Sequence, residues 1–234
     1  INKDAHNVTC CQHIFFRKLM RLFKDLGIKV VYTPHKQLGE DVIDGIILKP
    51  CPLYAVNIED PKKNSVFKGK DFLSLKRPYL YSFQGAYQNG YLTDIREKIT
   101  NLESRSKKDV YIKNIGSWHF NEIVYTGNQN PREQYTESDK HKHETEEYNT
   151  ILLQSQFSLC PSGTGPNSIR FWESLATGSI PVLLADTLEL PNHPLWSKAI
   201  IRIAEKNVDT LDSYLREISD ADQMLMRKNC IEIY

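Results

Sequence analysis

PSGTGPNSIRFWESLATGSIPVLL, residues 161 to 184, places two glycines, an Asn-Ser pair, one arginine and one glutamate ahead of a wholly apolar run. In Ser162-Gly163-Thr164-Gly165 the glycines let the backbone come close to a ligand, and the N–H groups of a helix starting near Asn167 or Ser168 favour an anion there. Arg170 suits phosphate. Glu173, three residues on and on the same helix face, suits paired hydroxyls such as those of a ribose. The ligand these residues describe together is a nucleotide diphosphate. The same stretch also reads as a Ser/Gly turn capping an ordinary helix, with Arg170 and Glu173 as a surface pair.

Such a loop needs a strand before it and another after the helix. Phe157, Leu159 and Cys160 form one short apolar run and Ile180 to Ala185 another, each bounded by Pro or Gly, so both read as buried parallel strands. The helix between them carries Ile169, Trp172, Leu175 and Ala176 on one face and stops at Gly178, which completes a βαβ unit. Around it the pattern predicts strands near 79–84, 109–115, 157–160, 180–185 and 199–203, alternating with helices near 92–104, 144–155, 167–177 and 208–218. Alternation of this kind predicts a parallel α/β sheet. Upstream, the pattern gives an extended stub at Ile1 to Lys3, a helix over 12–26, a strand IKVVYT, a run from Val42 to Leu48 and a further strand from Leu53 to Ile58. Lys62 to Lys70, polar and loop-like, is the expected linker between the two layers.

The blocks Phe157, Leu159, Pro161, Gly163, then Ser168, Arg170, Glu173, then Gly178, Ile180, Pro181, Val182 resemble the signature of exostosin-like glycosyltransferases, family 47. Two more blocks agree: residues 77–99, with a strand ending in Phe-x-Gly followed by Ile-Arg, and residues 146–157, the helix before the signature. The resemblance spans residues 77 to 186 and is poor over the first 70. It implies the GT-B architecture: α/β, with two Rossmann-like parallel-sheet domains facing a cleft. The expected division is a small acceptor-side domain over 1–70 and a nucleotide-sugar domain over 71–220, with a C-terminal helix at 221–234 that packs back on the first.

Length and composition narrow the function class. A chain of 234 residues with 40% hydrophobic content can bury a core, and a net charge of +1 gives no nucleic-acid surface. Apolar runs all fall short of the roughly 18 residues a membrane helix needs, and no secretory signal pattern opens the chain, so the reading is a soluble, cytoplasmic protein. If an N-terminal anchor has been removed, the family resemblance implies the Golgi lumen instead. Cys10, Cys11, Cys51, Cys160 and Cys230 make no spaced framework, and a reducing compartment is the simpler reading. Neither Cys10, Cys11 and His13 nor His141 and His143 complete a metal set by spacing. Residues 128–147 are polar and charged, a solvated loop or a lid.

Transfer from a nucleotide sugar needs charge stabilisation on the departing diphosphate and a base for the acceptor hydroxyl. The Asp-x-Asp at Asp220-Ala221-Asp222 follows a predicted helix and reads as a helix cap, so a metal-independent enzyme is expected, with no cofactor beyond the UDP-sugar co-substrate. Arg170, Ser162, Gly163, Thr164, Gly165, Asn167 and Ser168 would hold the diphosphate and Glu173 the ribose, unless Arg170 is simply paired with Glu173. Gly85 lines the cleft or makes a turn, Arg96 reaches phosphate or sits on a surface helix, and Asn114 to Trp118 offers polar contacts and an aromatic wall. Strand-end logic makes His6 and Asp4 the expected bases, ahead of His13, Glu59 and Asp60. The sum is an inverting glycosyltransferase moving a sugar, first expectation xylose, from a UDP-sugar to a hydroxyl of a glycan or glycoprotein acceptor, in a compact member of viral or microbial type. The alternative is a non-catalytic UDP-sugar-binding module that assists a partner transferase.

Overall fold

In the first layer, β-branched runs pair as a sheet of order β1-β2-β4-β3, built from β1 (Asn7–Cys10), β2 (Ile28–Thr33), β3 (Val42–Ile43) and β4 (Ile46–Pro50). The computed structural model describes residues 6–116 and 139–234, so Ile1 to Lys3, Asp4, Trp118 and most of the polar stretch lie outside the described residues. β1, β2 and β4 run parallel, and β3 returns antiparallel on β4. That reversal is made at Asp44-Gly45, where both residues take positive φ (51° and 82°), the geometry a two-residue hairpin turn demands.

One face of this sheet, through Val31, Ile46 and Leu48, buries Phe16, Met20 and Phe23. Those three come from a 3-10 turn at Phe16–Leu19 that runs into α1 (Met20–Asp25). The helix expected from residue 12 begins later because His13 Nδ1 accepts the Phe15 N–H at 3.0 Å, a local bond that competes with helix formation.

The second layer is a wholly parallel sheet of order β6-β5-β7-β8-β9, made of β5 (Tyr79–Gly85), β6 (Val110–Asn114), β7 (Ser155–Pro161), β8 (Ile180–Leu184) and β9 (Ile201–Arg202). This is the mixed α/β, two-sheet architecture that the sequence predicts. Between the layers lies α2 (Val56–Glu59); around the second sheet lie α3 (Ile95–Thr100), α4 (Asp139–Gln154), α5 (Ile169–Thr177), α6 (Trp196–Ala199), α7 (Leu211–Arg216) and α8 (Asp220–Ile233). Ile95, Ile99, Leu211 and Leu215 cover one face of the sheet; Phe171, Trp172 and Leu175 pack on the other. No helix among the described residues is long and apolar enough to cross a membrane.

Three expectations need correction. Leu53 to Ile58 is not a strand: the place beside β4 is taken by β3, and Leu53, Ala55 and Ile58 pack instead with Phe171, Trp172 and Leu175 of the second layer. The helix before β7 starts at Asp139, so His141 and His143 stand on a helix rather than in a loop. The C-terminal helix α8 lies along α5 and α6 of the second layer, and its last residue, Tyr234, donates to Glu59. Asp220 and Asp222 form its first turn, capped by Ser219 Oγ, which accepts the Asp222 N–H at 3.1 Å.

The layers are joined by main chain. Leu38 N–H donates to Thr187 O (2.9 Å), Glu189 N–H donates to Lys36 O (3.2 Å), and Gln37 bridges Leu188 as an antiparallel pair. Lys36, 1% exposed, sends its ammonium to Glu189 and to Asp41 (3.0 Å). Beside this joint a cavity of about 450 Å³ opens between the layers, lined by Tyr32, Lys36, Lys49, Glu189 and Pro191.

Candidate functional site

From β5 the chain crosses to one side, into β6, and from β7 it crosses to the other, into β8. The carboxyl ends of β5 and β7 therefore flank the point where strand order reverses, the usual crevice for ligands in open parallel sheets. Two arginines converge there. Arg170, in the first turn of α5, donates from Nη1 to Leu159 O of β7 (3.2 Å) and from Nη2 to Gln84 O of β5. Arg96, on α3, donates from Nε to Ser162 O just past β7 (2.7 Å) and from Nη1 to Ala86 O just past β5 (3.3 Å).

Both guanidinium groups lie over the ring of Phe83, at 4.7 Å for Arg170 and 5.9 Å for Arg96. Arg170 also lies over Tyr148 (5.5 Å) and Arg96 over Tyr91 (4.9 Å). Among the described residues their hydrogen bonds go to carbonyl oxygens and the Tyr148 hydroxyl, and the Glu173 carboxyl acts on Arg170 across space. Burial and then the charge of Arg170 bring Arg96 down to about 10, still fully protonated at neutral pH. Two like charges held side by side at strand ends make a site that an anion stabilises.

The glycines serve this packing. A Cβ on Gly85 would stand 2.8 Å from Phe83 Cζ and 3.5 Å from Arg96 Nη1, and one on Gly163 would stand 3.0 Å from Arg96 Nη2. A Cβ on Gly165 would meet Ile14 Cγ1 at 3.0 Å and His35 Nδ1 at 3.2 Å, so this glycine lets the first layer close on the loop. The space beside these glycines is filled by Phe83, Arg96, Ile14 and His35.

Several expected ligand contacts turn out to be internal. Ser162 Oγ is buried, 3.0 Å from Thr93 Oγ1 and 3.2 Å from Glu205 Oε1. Asn167 is a strut: Nδ2 donates to Pro34 O of the first layer (2.8 Å), and Oδ1 accepts from Ser168 N–H (2.8 Å) and Trp172 Nε1 (3.1 Å). Thr164 is exposed and Ser168 half-exposed, at the loop tip and the helix start. Asn114 Oδ1 turns back to the Gly116 N–H at 2.9 Å.

Glu173 is neither open to the crevice nor the bonded partner of Arg170. It is 1% exposed, with Oε2 accepting from the Tyr148 hydroxyl (2.7 Å) and Oε1 from the Asn57 N–H (3.2 Å). It therefore fixes the ring that lies on Arg170 and anchors the segment leaving the first layer. Burial, outweighing those hydrogen bonds, holds its carboxyl above the ordinary 4.5. The folded chain then holds this proton more tightly than the unfolded chain, so stability falls as pH rises above about 4.5 and levels off once Glu173 is ionised. Glu173→Gln, which keeps an acceptor for Asn57, is expected to remove that part of the slope and to be no less stable than the parent at neutral pH. Urea midpoints of both proteins on the acid and neutral sides of the window check this; an unaltered slope would reject a raised Glu173.

The expected bases fare differently. Asp4 lies outside the described residues. His6 precedes β1, and because the sheet is parallel that is the end away from the glycine loop, so the strand-end argument does not apply to it. Glu59 accepts from Tyr234 at the far end of the chain, and Asp60 Oδ1 accepts the Lys62 N–H (2.9 Å), a local bond. His13 is exposed just past β1. His35, which the sequence reading passed over, stands past the end of β2 against Gly165; it is 5% exposed and its Nδ1 has no bonding partner. Burial lowers it to about 4, so it is a neutral acceptor at physiological pH. Tyr148 and Asn57 were also missed, although Tyr148 sits in the helix block that precedes the signature.

The chain is similar to known proteins. Residues 51–218 match the family model described as the Exostosin GT47 domain. Relatives include an Exostosin-1 homolog of Caenorhabditis elegans, 26% identical over 180 residues (74% of this chain, 44% of that protein). A probable glucuronosyltransferase of Oryza sativa subsp. japonica is 30% identical over 130 residues (53% and 30%), and the probable beta-1,4-xylosyltransferase IRX10 of Arabidopsis thaliana is 35% identical over 83 residues (35% and 20%). The chain spans less than half the length of these curated relatives. With the match extending from the exit of the first sheet through the arginine pair to the end of α7, the chain belongs to the exostosin GT47 family.

Proposed function

We propose that this chain is a metal-independent, inverting glycosyltransferase that takes its sugar from a UDP-sugar and passes it to a hydroxyl of a glycan acceptor. The observation that carries the reading is the Arg96–Arg170 pair at the reversal point of the second sheet, two cations with carbonyl and aromatic partners. In this role they take the diphosphate and stabilise the charge that develops on it as the glycosidic bond breaks. Thr164 and Ser168 complete the cradle, and Glu173 acts as a positioning residue through Tyr148. The proton acceptor is drawn from the carboxyl ends of β1 and β2, where His13 and His35 stand, and the cavity between the layers receives the acceptor sugar. Relatives named as xylosyl- and glucuronosyltransferases keep xylose and glucuronate as the first donors to try.

The test is nucleotide release from a panel of UDP- and GDP-sugars in EDTA, with and without mixed glycoside acceptors. Acceptor-dependent release of UDP from one donor is the expected result. UDP binding without release across the panel favours the alternative, a UDP-sugar-binding module that assists a partner transferase. Failure to bind UDP at all overturns the site.

A further inference from the structure

Cys10 closes β1, and Cys51 follows β4 directly, so both stand at the carboxyl end of the first sheet. Cys51 N–H donates to Thr33 O (3.2 Å), which continues the β4 pairing one residue past the strand. The two sulfur atoms are 3.9 Å apart, in van der Waals contact, although the residues are 41 positions apart in the chain. Cys10 is exposed and Cys51 half-buried. Cys160 and Cys230 are buried elsewhere, their thiols bonded to Ser158 O (3.3 Å) and Ala199 O (3.0 Å).

We infer that Cys10 and Cys51 are a redox-active dithiol, a modification site that closes to an intramolecular disulfide when it meets a low-molecular-weight disulfide. Closing brings the sulfurs from 3.9 Å to about 2.0 Å across the end of β2, which lies between β1 and β4, so the backbone at the sheet rim moves together with the two side chains. The chemistry balances by two exchanges. The Cys10 thiolate attacks one sulfur of glutathione disulfide, forms a mixed disulfide and releases one glutathione thiolate. Cys51 then attacks the Cys10 sulfur and releases the second. The protein gives up two electrons and two protons; glutathione disulfide takes both and leaves as two glutathione thiols.

The order of attack follows from environment. Burial and the neighbouring Cys10 push the Cys51 thiol up to about 12, so the accessible Cys10 attacks first and Cys51 resolves. The link would tie β1 to the start of the segment whose Leu53, Ala55 and Ile58 pack on the second layer and whose Asn57 N–H sits on Glu173. The inference is independent of the proposed enzyme activity.

The full chain is treated with oxidised glutathione, its thiols are counted, and non-reducing peptide mapping locates the product. The expected result is a fall from five thiols to three, a cross-link between the Cys10 and Cys51 peptides, and a thermal midpoint higher by about 5 °C in the oxidised form. Cys11→Ser should still form the link, and Cys51→Ser should stop at a glutathione adduct on Cys10. A Cys10–Cys11 link, a stable glutathione adduct on the parent, or five thiols retained would each overturn the inference.

Discussion

Arg170→Ala and Arg96→Ala are each expected to weaken UDP binding on the order of 100-fold, because each removes one of the two charges that meet the diphosphate in a partly dry site. Calorimetric titration with UDP and with uridine separates the effects: UDP affinity should collapse, whereas uridine, which lacks the diphosphate, should change little. The two losses should not add. Arg170 lowers the affinity of Arg96 for its proton, so removing Arg170 relaxes the remaining cation, and the double variant should lose less than the sum of the singles. Arg170→Lys tests geometry against charge. An ammonium cannot reach both Leu159 O and Gln84 O while facing an anion, and it should recover only part of the affinity. Equal losses for UDP and uridine would mean that the arginines only brace the strand ends.

How much of this could be read from the sequence depends on how local each feature is. β7, α5 and β8 were legible because two apolar runs are punctuated by Pro161, Gly178 and Pro181, and Gly178 ends the helix in the left-handed conformation (φ 64°) that its residue type allows at no steric cost. Arg96 and Gly85 could be found by resemblance, although their meeting at one point could not, since 66 positions separate Arg96 from the Ser162 carbonyl it holds. Glu173 was placed on the correct helix and given the wrong surroundings. Spacing of three puts it on the face of Arg170, but its bonding partners, Asn57 and Tyr148, lie 116 and 25 positions away. Leu53 to Ile58 failed for a different reason: a short apolar run has no period of its own, and the position of β3 decided where it went. His35 escaped because a histidine after Thr-Pro in a strand-end turn carries no signal until the glycine loop is folded against it.

The largest stability effect is expected from a residue that touches neither ligand nor cleft. Arg77, 7% exposed, donates to four carbonyl oxygens: from Nη1 to Leu152 O (3.2 Å) and Ser155 O (2.9 Å), and from Nη2 to Phe72 O (3.2 Å) and Thr177 O (2.6 Å). These oxygens belong to the end of α4, the start of β7, the loop before β5 and the end of α5. Burial and the charge of Arg227 lower its pKa to about 9, so at neutral pH it remains a cation held by carbonyl dipoles alone. Arg77→Ala opens a cavity and strands several acceptors at once, and should cost about 3–5 kcal/mol, or roughly 10 °C in thermal midpoint. Arg77→Leu separates the two causes. It fills much of the space and satisfies none of the oxygens, so a loss close to that of alanine identifies the stranded carbonyls as the larger part. In either variant, UDP affinity measured well below the transition should stay within about threefold of the parent, since the bonds of Arg77 go to the far ends of the helices that carry Tyr148 and Arg170. A much larger loss of affinity at full folding would mean that the α4–β7 and α5 junction sets the placement of Arg170, and that the anion site is held from behind as well as from the strand ends.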